Sequence, residues 1–416
     1  MITKFLSKFV TLLAIAGALG TTLYAQDSNA LLNVLVKKGV LTAEEAVELR
    51  EDLAADAEAA VTKTVSGGKK TKSISIYGRL QAQYVNLGTD AAGAATVNHL
   101  FARRTRLGIK TQLHENWVTD FNYEFGAQAI DKLVMGYRTE WEGQPLSIDV
   151  GLRKVNFGLE EMTSSGSLKS IERSAATRYF VEPNNGRRLG AGKQRIGLFI
   201  DSNAASRAGK GEGFYYGFAI TNPELPRGAA GAISAGNSVT NEFAYWADFG
   251  YGGSNESVSY RIGAGGGILS SMGGRQFAEG SDMQVFSLYG DVKTGGLTLA
   301  GEFLSSQIDD GAGAGTDANP TGFWVQPSYK FNDNWELVAR YSYVDSDGRG
   351  VKASDGVRSA PAVMTGDNLT ETFVGFTYYI LGSDLKIQTG YVKGWSELNG
   401  TKETADGLRS MMHVNF

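Results

Sequence analysis

Hydrophobic and polar residues alternate along Ser73–Leu87. Ile74, Ile76 and Leu80 share one side of this pattern, whereas Arg79 shares the other side with several uncharged polar residues. A period of two predicts a β-strand with one apolar and one polar face. In a soluble β-sandwich the apolar face would pack in a core, whereas in a membrane barrel it would face lipid and the polar face would line a wet lumen. One strand does not distinguish these two structures.

The same alternation recurs along the chain in about sixteen segments of roughly ten residues, which is the length of a tilted membrane strand. Short and long joints alternate in most of this region, as periplasmic turns and outer loops do in outer-membrane barrels. Glu397–Asp406 is predicted to be one of the longer joints. Two joints fit less well, because almost no outer loop precedes Ala129 and Asn203–Glu212 is long for a periplasmic turn. We predict an all-β fold, an antiparallel transmembrane β-barrel of about sixteen strands over residues 73–416.

The N-terminal part of the chain does not alternate. Residues 1–25 combine a basic start, an apolar run and a plausible cleavage site, which predicts a secretory signal peptide. Residues 26–65 predict a short periplasmic helical segment, in which Thr42 and Glu45 form a capping box. Its near-heptad spacing suits a trimeric coiled coil below a barrel, and equally a polar single helix on a tether. Residues 66–72 are a Gly- and Lys-rich linker before the barrel domain.

Composition narrows the class of protein. The net charge is −4 and charged residues make up 20%, so the charge balance does not indicate a nucleic-acid partner. Cysteine is absent, so an exported chain would depend on closed-barrel hydrogen bonding instead of disulfides. Tyr and Phe cluster on the apolar faces, as in the aromatic girdles of membrane barrels, whereas a soluble core would favour Val, Ile and Leu. The last strand ends at Phe416, which resembles the terminal signal of outer-membrane barrels.

Two stretches carry motifs in a distinctive order. Residues 101–113 read FARRTRLGIKTQL and precede a short turn with Trp117, and residues 151–174 read GLRKVNFGLEEMTSSGSLKSIERS. These motifs, with Arg187-Arg188-Leu189-Gly190 after them, resemble the phosphate-selective porin O and P family. The resemblance implies a homotrimer in the outer membrane of a Gram-negative-type cell, with the third loop of the barrel folded into its lumen. It does not by itself identify phosphate as the solute.

If the apolar residues face lipid, the parity of a residue, its odd or even position along a strand, predicts whether its side chain faces the lumen. Leu107 and Ile109 then face outward, so Arg104 and Arg106 face inward. The predicted pore-lining residues are Arg79, Arg104, Arg106, Lys110, Arg153, Arg261 and Arg340. Arginine suits oxyanions because its planar fork makes paired hydrogen bonds and stays charged, which predicts a path for small anions such as phosphate. Alternatively, these arginines pair with carboxylates across strands and stabilise the wall.

The segment 158–193 is far longer than an ordinary connection, which favours a function for it. We expect it to be a constriction loop inside the barrel, and the alternative is a flap over the barrel mouth. Its candidate residues are Glu160, Glu161, Arg173, Arg178, Arg187 and Arg188.

Other classes of function are less well supported. The three histidines, His99, His114 and His413, have no Ser or Asp motif around them, so we expect no enzyme and no cofactor. The acidic segment Asp309–Asp317 lacks the regular oxygen spacing of a calcium loop, which favours a solvated loop. A structural protein that contacts the cell wall through residues 28–63 is a further alternative. The sequence therefore predicts a porin for passive diffusion of small anionic or polar solutes.

Overall fold

The structure is a computed structural model that describes residues 64–65, 71–183, 185–223, 242–271 and 282–416. The predicted signal peptide, residues 26–63 of the predicted helical segment and most of the linker lie outside the described residues. The segment considered for a cell-wall contact lies outside them as well. No helix in the described part of the chain is long and apolar enough to cross a membrane.

Strands dominate the described residues. The strands are β1 (Thr64–Val65), β2 (Ser73–Thr89), β3 (Val97–Gln112), β4 (Trp117–Glu124), β5 (Ala129–Trp141), β6 (Gln144–Lys154), β7 (Gln194–Ser202), β8 (Gly213–Thr221), β9 (Ala244–Ser254), β10 (Val258–Leu269), β11 (Met283–Thr294), β12 (Leu297–Gly313), β13 (Thr316–Ala318), β14 (Thr321–Lys330), β15 (Trp335–Asp345), β16 (Asn368–Leu381), β17 (Leu385–Leu398) and β18 (Thr401–Asn415). The helices are α1 (Leu159–Met162), α2 (Ala175–Val181), α3 (Ala204–Arg207) and α4 (Ala353–Gly356).

Sixteen of these strands form a closed antiparallel barrel, which confirms the predicted fold class. Strands β2 to β12 pair in chain order, β12 also pairs with β14, and the series ends with β18 paired to β2. The short strand β1 pairs with the start of β2, and β13 pairs with the end of β12. Because the sheet closes on itself, the barrel wall has no free edge, as a lipid environment requires.

Some short joints are two-residue hairpin turns. Both residues have positive φ in Glu142–Gly143 (50° and 75°) and in Asn399–Gly400 (49° and 78°). This backbone conformation is that of a type I′ turn, whose twist matches the twist of the paired strands. The prediction of a longer joint at Glu397–Asp406 is therefore wrong, since β17 and β18 remain paired up to this turn. Residues 125–128 alone connect β4 to β5, in agreement with the short joint expected before Ala129.

Burial separates the two faces of the barrel wall. Large apolar side chains such as Leu80, Met135 and Phe214 are 46%, 60% and 56% exposed, and they cover the outside where lipid would contact them. Charged side chains such as Asp248 and Glu302 are buried on the inside. Aromatic side chains exposed on the outer face include Trp117, Phe125, Phe249, Tyr251, Phe323, Tyr329, Phe331 and Trp335.

Two of the β-bulges in the described wall change the direction of a charged side chain. Arg103 is the extra residue of β3 where it pairs with β2, and Asp131 is the extra residue of β5 where it pairs with β4. Strict alternation would place Arg103 beside Leu107, and Asp131 beside Leu133, on the lipid face. The bulges turn both charged side chains inward, where they are 16% and 18% exposed. Re-aiming a side chain is a common role of a bulge.

Two loops fill part of the lumen with apolar side chains. The loop 158–193 packs Phe180 against a cluster that includes Trp246 and Leu304 on the barrel wall. The loop 346–367 packs Val357 against a second cluster that includes Phe373. These clusters lie on the inner faces of β7–β12 and β14–β18 and at the end of β2. The remaining space lies along β2–β7 and also reaches β10–β12 and β14.

Candidate channel

The loop 158–193 lies inside the barrel and bonds to distant parts of its wall. The main-chain N–H of Leu159 donates to Oε1 of Glu302 on β12 at 2.8 Å. Arg79 on β2 donates from Nη1 to the Ser165 hydroxyl at 2.5 Å. Because β12 and β2 are far apart in the strand order, the loop extends across the lumen.

The loop 346–367 holds the C-terminal half of this loop. Arg187 binds the carboxylate of Asp355 through two N–H groups, at 3.0 and 3.2 Å. Arg178 donates to the carbonyl oxygen of Gly356 at 2.7 Å. Arg358 forms an ion pair with Glu182 of the first loop. The two loops are therefore joined by charged hydrogen bonds, which are stronger than neutral ones.

Glu161 is the buried centre of a basic cluster in the loop 158–193. Its carboxylate lies 2.7 Å from Lys154 Nζ, 2.9 Å from Arg173 Nε and 3.6 Å from Lys193 Nζ. Burial alone would raise the pKa of Glu161, but these three cations hold it well below its usual range. The pKa of Glu182 is likewise low, because neighbouring arginines outweigh its burial. Both carboxylates are therefore charged at neutral pH.

Two cavities follow one another along the lumen. The inner cavity, of about 860 Å³, lies toward the end with the short turns and contacts Ala204 and Lys210 of the joint 203–212. The outer cavity, of about 720 Å³, lies toward the end with the long loops and contacts Arg188 and Arg358. The cavities share the lining residues Asp131, Lys154, Met162, Ser164 and Gln194. These five residues therefore mark the junction between the two halves of the path.

The outer cavity has an excess of positive charge. Among the residues that the structure describes, nine basic side chains line it: Arg79, Arg103, Arg104, Arg106, Lys154, Arg173, Arg188, Lys193 and Arg358. Four acidic side chains of the same residues line it: Glu124, Asp131, Glu161 and Glu182. The inner cavity is more balanced, with eight basic and five acidic side chains in its lining. A cavity lined by one sign of charge raises the local concentration of ions of the opposite sign.

Three predicted pore residues meet at the outer cavity but have different partners. Arg104 donates to the side-chain oxygen of Gln81 at 2.7 Å. Arg79 donates to hydroxyl groups of the loop and to Asn415. Arg106 instead pairs with Glu124 and with Asp131, each at 2.7 Å. The charges of Arg79 and Arg104 therefore have neutral hydrogen-bond partners, whereas carboxylates compensate the charge of Arg106.

The structure places Arg153 and Arg261 at the inner cavity, each in an ion pair. Arg153 contacts Asp149 at 2.7 Å and Asp201 at 2.5 Å, and Arg261 contacts Asp291 at 2.6 Å. Both arginines therefore pair with carboxylates of the wall, which is the alternative to a solute path that the sequence left open.

Lys110 and Arg340 lie outside the lining of both described cavities. The ammonium group of Lys110 lies 5.0 Å from the centre of the Tyr77 ring, near the short-turn end. Arg340 is 2% exposed and binds Glu371 at 2.5 Å and Glu160 at 3.1 Å. Parity thus correctly predicted that Arg340 faces inward, but the loop 158–193 covers its side chain and separates it from both cavities.

Some of the candidate residues of the loop 158–193 line a cavity and others do not. Glu161, Arg173 and Arg188 line the outer cavity, and Glu160 lines the inner cavity. Arg178 and Arg187 bind the loop 346–367 and line neither.

Several residues of the outer cavity were not predicted from the sequence, above all Arg103 and Asp131. One signal could have identified both. Each shares parity with lipid-facing Leu residues, and a charged side chain in lipid is costly, so a bulge was the less costly solution. Lys193 and Arg358 had no comparable signal, because their positions depend on how the loops fold.

The other candidate sites have ordinary structural partners. A ring nitrogen of His413 lies 2.8 Å from the Gln81 amide. Residues Asp309–Gly313 extend β12, and Asp317 accepts a hydrogen bond from the main chain of Asp310. Within the described ranges, no group of three or more His, Cys, Asp or Glu residues is arranged to hold a metal ion.

Comparison with known proteins identifies the family of this barrel. The sequence profile of the family described as "Phosphate-selective porin O and P" matches residues 74–416. The chain belongs to this family. A search of curated protein sequences finds no match. This porin also has the same fold as solved outer-membrane channels. Its family and its fold together show an outer-membrane channel for small solutes.

Three solved structures illustrate the similarity. The channel DcaP of Acinetobacter baumannii has a TM-score of 0.56 and 13% identity, over 85% of this chain and 99% of its own. An anion-selective porin from Comamonas acidovorans has a TM-score of 0.53 and 13% sequence identity, over 83% of this chain and 99% of its own. The trimer form of OmpT, from Vibrio cholerae, has a TM-score of 0.50 and 12% sequence identity, over 82% of this chain and 98% of its own. At these identities the likeness shows the fold alone.

Proposed function

We propose that this porin is a passive channel that prefers small anions, phosphate among them, and that the loop 158–193 narrows it. The observation that carries the proposal is the excess of basic over acidic side chains around the outer cavity. An anion entering from the long-loop end would meet this cavity before the junction beside Ser164. Solutes larger than the junction would be excluded there.

Arg79 and Arg104 are the strongest candidates for attracting anions. Their hydrogen-bond partners are neutral, so their positive charges act on the cavity without a carboxylate beside them. Two unit charges 4 Å apart interact by about 1 kcal/mol in bulk water and by about 4 kcal/mol at an effective dielectric constant of about 20. A partly dehydrated lumen is closer to the second case. A few uncompensated arginines can therefore exclude cations although the whole chain has a net charge of −4.

The reversal potential across a salt gradient tests this proposal. Wild-type channels in planar bilayers should show a larger permeability for chloride than for potassium, and added phosphate should reduce the chloride current. Arg104→Gln removes one charge and leaves no carboxylate unpaired, so its anion preference should fall about twofold.

Lys402→Gln is a matched control. Lys402 pairs with Glu397 at the hairpin of β17 and β18, outside both cavities, and its side chain is 55% exposed. This variant loses the same charge and should keep the wild-type reversal potential. A cation-selective wild type, or equal shifts in both variants, would refute the proposed role of the outer cavity.

We also propose a homotrimer, with residues 26–65 in the periplasm. The support is the trimer form of OmpT, a channel of the same fold. Light scattering in mild detergent should give the mass of three chains. A mass of one chain, with no mobility difference between boiled and unboiled samples, would contradict this assembly.

A further inference from the structure

The joint 203–212 between β7 and β8 folds into the short-turn end of the barrel. Asn203 begins α3 with φ 40°, and its side chain accepts a hydrogen bond from the Ser206 N–H at 3.2 Å. The Ser206 side chain is fully buried and donates to the carbonyl oxygen of Gly213 at 2.7 Å. An ordinary periplasmic turn would project into water. In this joint Asn203 and Ser206 are buried against the wall, whereas Ala204, Ala205 and residues 208–210 remain exposed.

Arg207 holds the joint against two strands that are not neighbours. Its Nε donates to Oδ2 of Asp248 on β9 at 2.8 Å, and its Nη1 lies 3.2 Å from Oδ1 of Asp201 on β7. The guanidinium group also lies over the Tyr215 ring, 5.4 Å from its centre. Arg261 on β10 donates to the main-chain carbonyl of Arg207. The joint is thus attached to β7, β8, β9 and β10.

Glycines on the inner face of the wall make room for this joint. A Cβ atom at Gly252 would lie 2.6 Å from the Ser206 hydroxyl and 3.0 Å from the Gly211 carbonyl oxygen. A Cβ atom at Gly217 would lie 2.8 Å from an Arg207 nitrogen. A side chain at Gly252 would therefore displace Ser206 or Gly211 of the joint, whereas one at Gly217 would first contact Asn156 and Asp201 and then the end of the Arg207 side chain. The inward position therefore depends on the wall as well as on the joint.

The joint forms one boundary of the inner cavity. Ala204, Arg207, Ala208 and Lys210 line this cavity, whose opposite boundary includes Ser164 of the loop 158–193. Lys210 is exposed to the cavity, and among the described residues it makes no ion pair. Arg207 and Arg261 at the same place are paired with aspartates. Lys210 is thus the uncompensated cation of this boundary.

We propose that residues 203–212 form a second constriction of the channel, at its short-turn end, with Lys210 as an anion-attracting group. The attraction of anions rests on the proposed function, whereas the narrowing does not. Solutes that pass the junction beside Ser164 would then meet a second, weaker selection before leaving the barrel. Arg207 acts here as a positioning residue, and Lys210 contacts the solute.

The absence of cysteine from the chain allows a direct test. Ala208→Cys places one thiol on the joint, and Asp333→Cys places one on another turn at the same end, where the native side chain is fully exposed. Both variants are treated in bilayers with a negatively charged and with a positively charged methanethiosulfonate reagent. Mass spectrometry measures the extent of labelling.

Labelling Ala208→Cys with either reagent should remove about half of the single-channel current, since conductance follows the width of the narrow section. The negative reagent should lower the anion preference and the positive reagent should raise it. Labelled Asp333→Cys should keep the current and selectivity of the unlabelled channel. Lys210→Gln should lower the anion preference.

Complete labelling of Ala208→Cys without loss of current would overturn the second constriction. An unchanged reversal potential in Lys210→Gln, in an anion-selective channel, would overturn the role of Lys210. If the wild type is cation-selective, the proposed anion preference fails. Loss of current on labelling would still support the constriction in that case.

Discussion

Arg103 and Glu172 connect the barrel wall to the loop 158–193 through two parallel hydrogen bonds. Nε of Arg103 lies 2.6 Å from Oε1 of Glu172, and Nη2 lies 3.0 Å from Oε2. Arg103 faces the lumen only because a bulge in β3 turns it inward. The position of the loop therefore depends on a local irregularity of the wall.

Arg103→Ala should loosen the loop. The substitution leaves Glu172 with Arg358, at 3.4 Å, as its remaining ion-pair partner, and losing hydrogen bonds to a charged group costs about 2 kcal/mol. We expect larger fluctuations of the open-channel current and faster proteolysis within residues 158–193. Arg103→Lys keeps the charge but loses the two-point geometry, so it should be intermediate. Equal current noise in all three channels would contradict this role.

Arg340→Met should destabilise the folded barrel. Arg340 and Glu371 are 2% and 1% exposed, so removing the arginine leaves buried carboxylates without their partner. Breaking such a pair costs about 3–5 kcal/mol. The temperature at which the folded band disappears on a gel should fall clearly. Arg340→Met with Glu371→Gln should recover part of the loss, and no recovery would show that packing, not charge, explains the effect.

Acid should leave the charge of Glu161 unchanged over a wide range. A carboxyl group with a lowered pKa contributes stability above its unfolded pKa of about 4.3, and this is lost only as the pH falls through the lower folded value. Glu161→Gln should have a stronger anion preference, because Arg173 stays charged and loses its carboxylate partner. At pH 4 the wild type should still differ from Glu161→Gln in reversal potential. Equal values at pH 4 would mean that Glu161 is already protonated.

As the pH is raised, the anion preference should weaken below the pH at which an ordinary lysine loses its proton. Burial, reinforced by the charge of Arg173, lowers the pKa of Lys193 below its usual range, although Glu161 opposes this shift. Lys193 therefore releases its proton at a lower pH in the folded protein than in the unfolded chain. At neutral pH its charged form destabilises the folded state. The anion preference should decline before the pH reaches about 10.4, the ordinary lysine value. Lys193→Arg should shift this decline upward, and identical curves for the two proteins would exclude Lys193 as its source.

Ser164→Trp should block the junction of the two cavities. Ser164 lines both cavities, so a large side chain there would fill part of the shared section. We expect a loss of about half or more of the single-channel current. Val150→Trp is the control, since Val150 is 52% exposed on the lipid face. A similar loss in both variants would point to a distorted barrel instead of a blocked junction.

The alternation of residues along the chain determined the barrel itself. A residue two positions away lies on the same face of a strand, and lipid tolerates only apolar side chains, so Leu80 and Arg79 are assigned from the sequence alone. The joint 203–212 was also recognised as unusual from its length. Its inward position was not, because it depends on the space at Gly252 and on the aspartates that bind Arg207, which strand pairing brings beside the joint.

Only the tertiary structure decided which charges face the solute. Parity gives the direction of Arg104, Arg106 and Arg340 alike, but not their partners. Arg104 binds an amide, Arg106 binds two carboxylates and Arg340 is covered by the loop. A charge acts on a solute according to the groups within a few ångströms of it, and strand pairing and loop folding bring these groups together from distant parts of the chain. The bulge at Arg103 shows the same division: a charged residue on the lipid-facing side of the alternation indicates that a bulge is needed, but only the pairing of β3 with β2 shows which residue is the extra one.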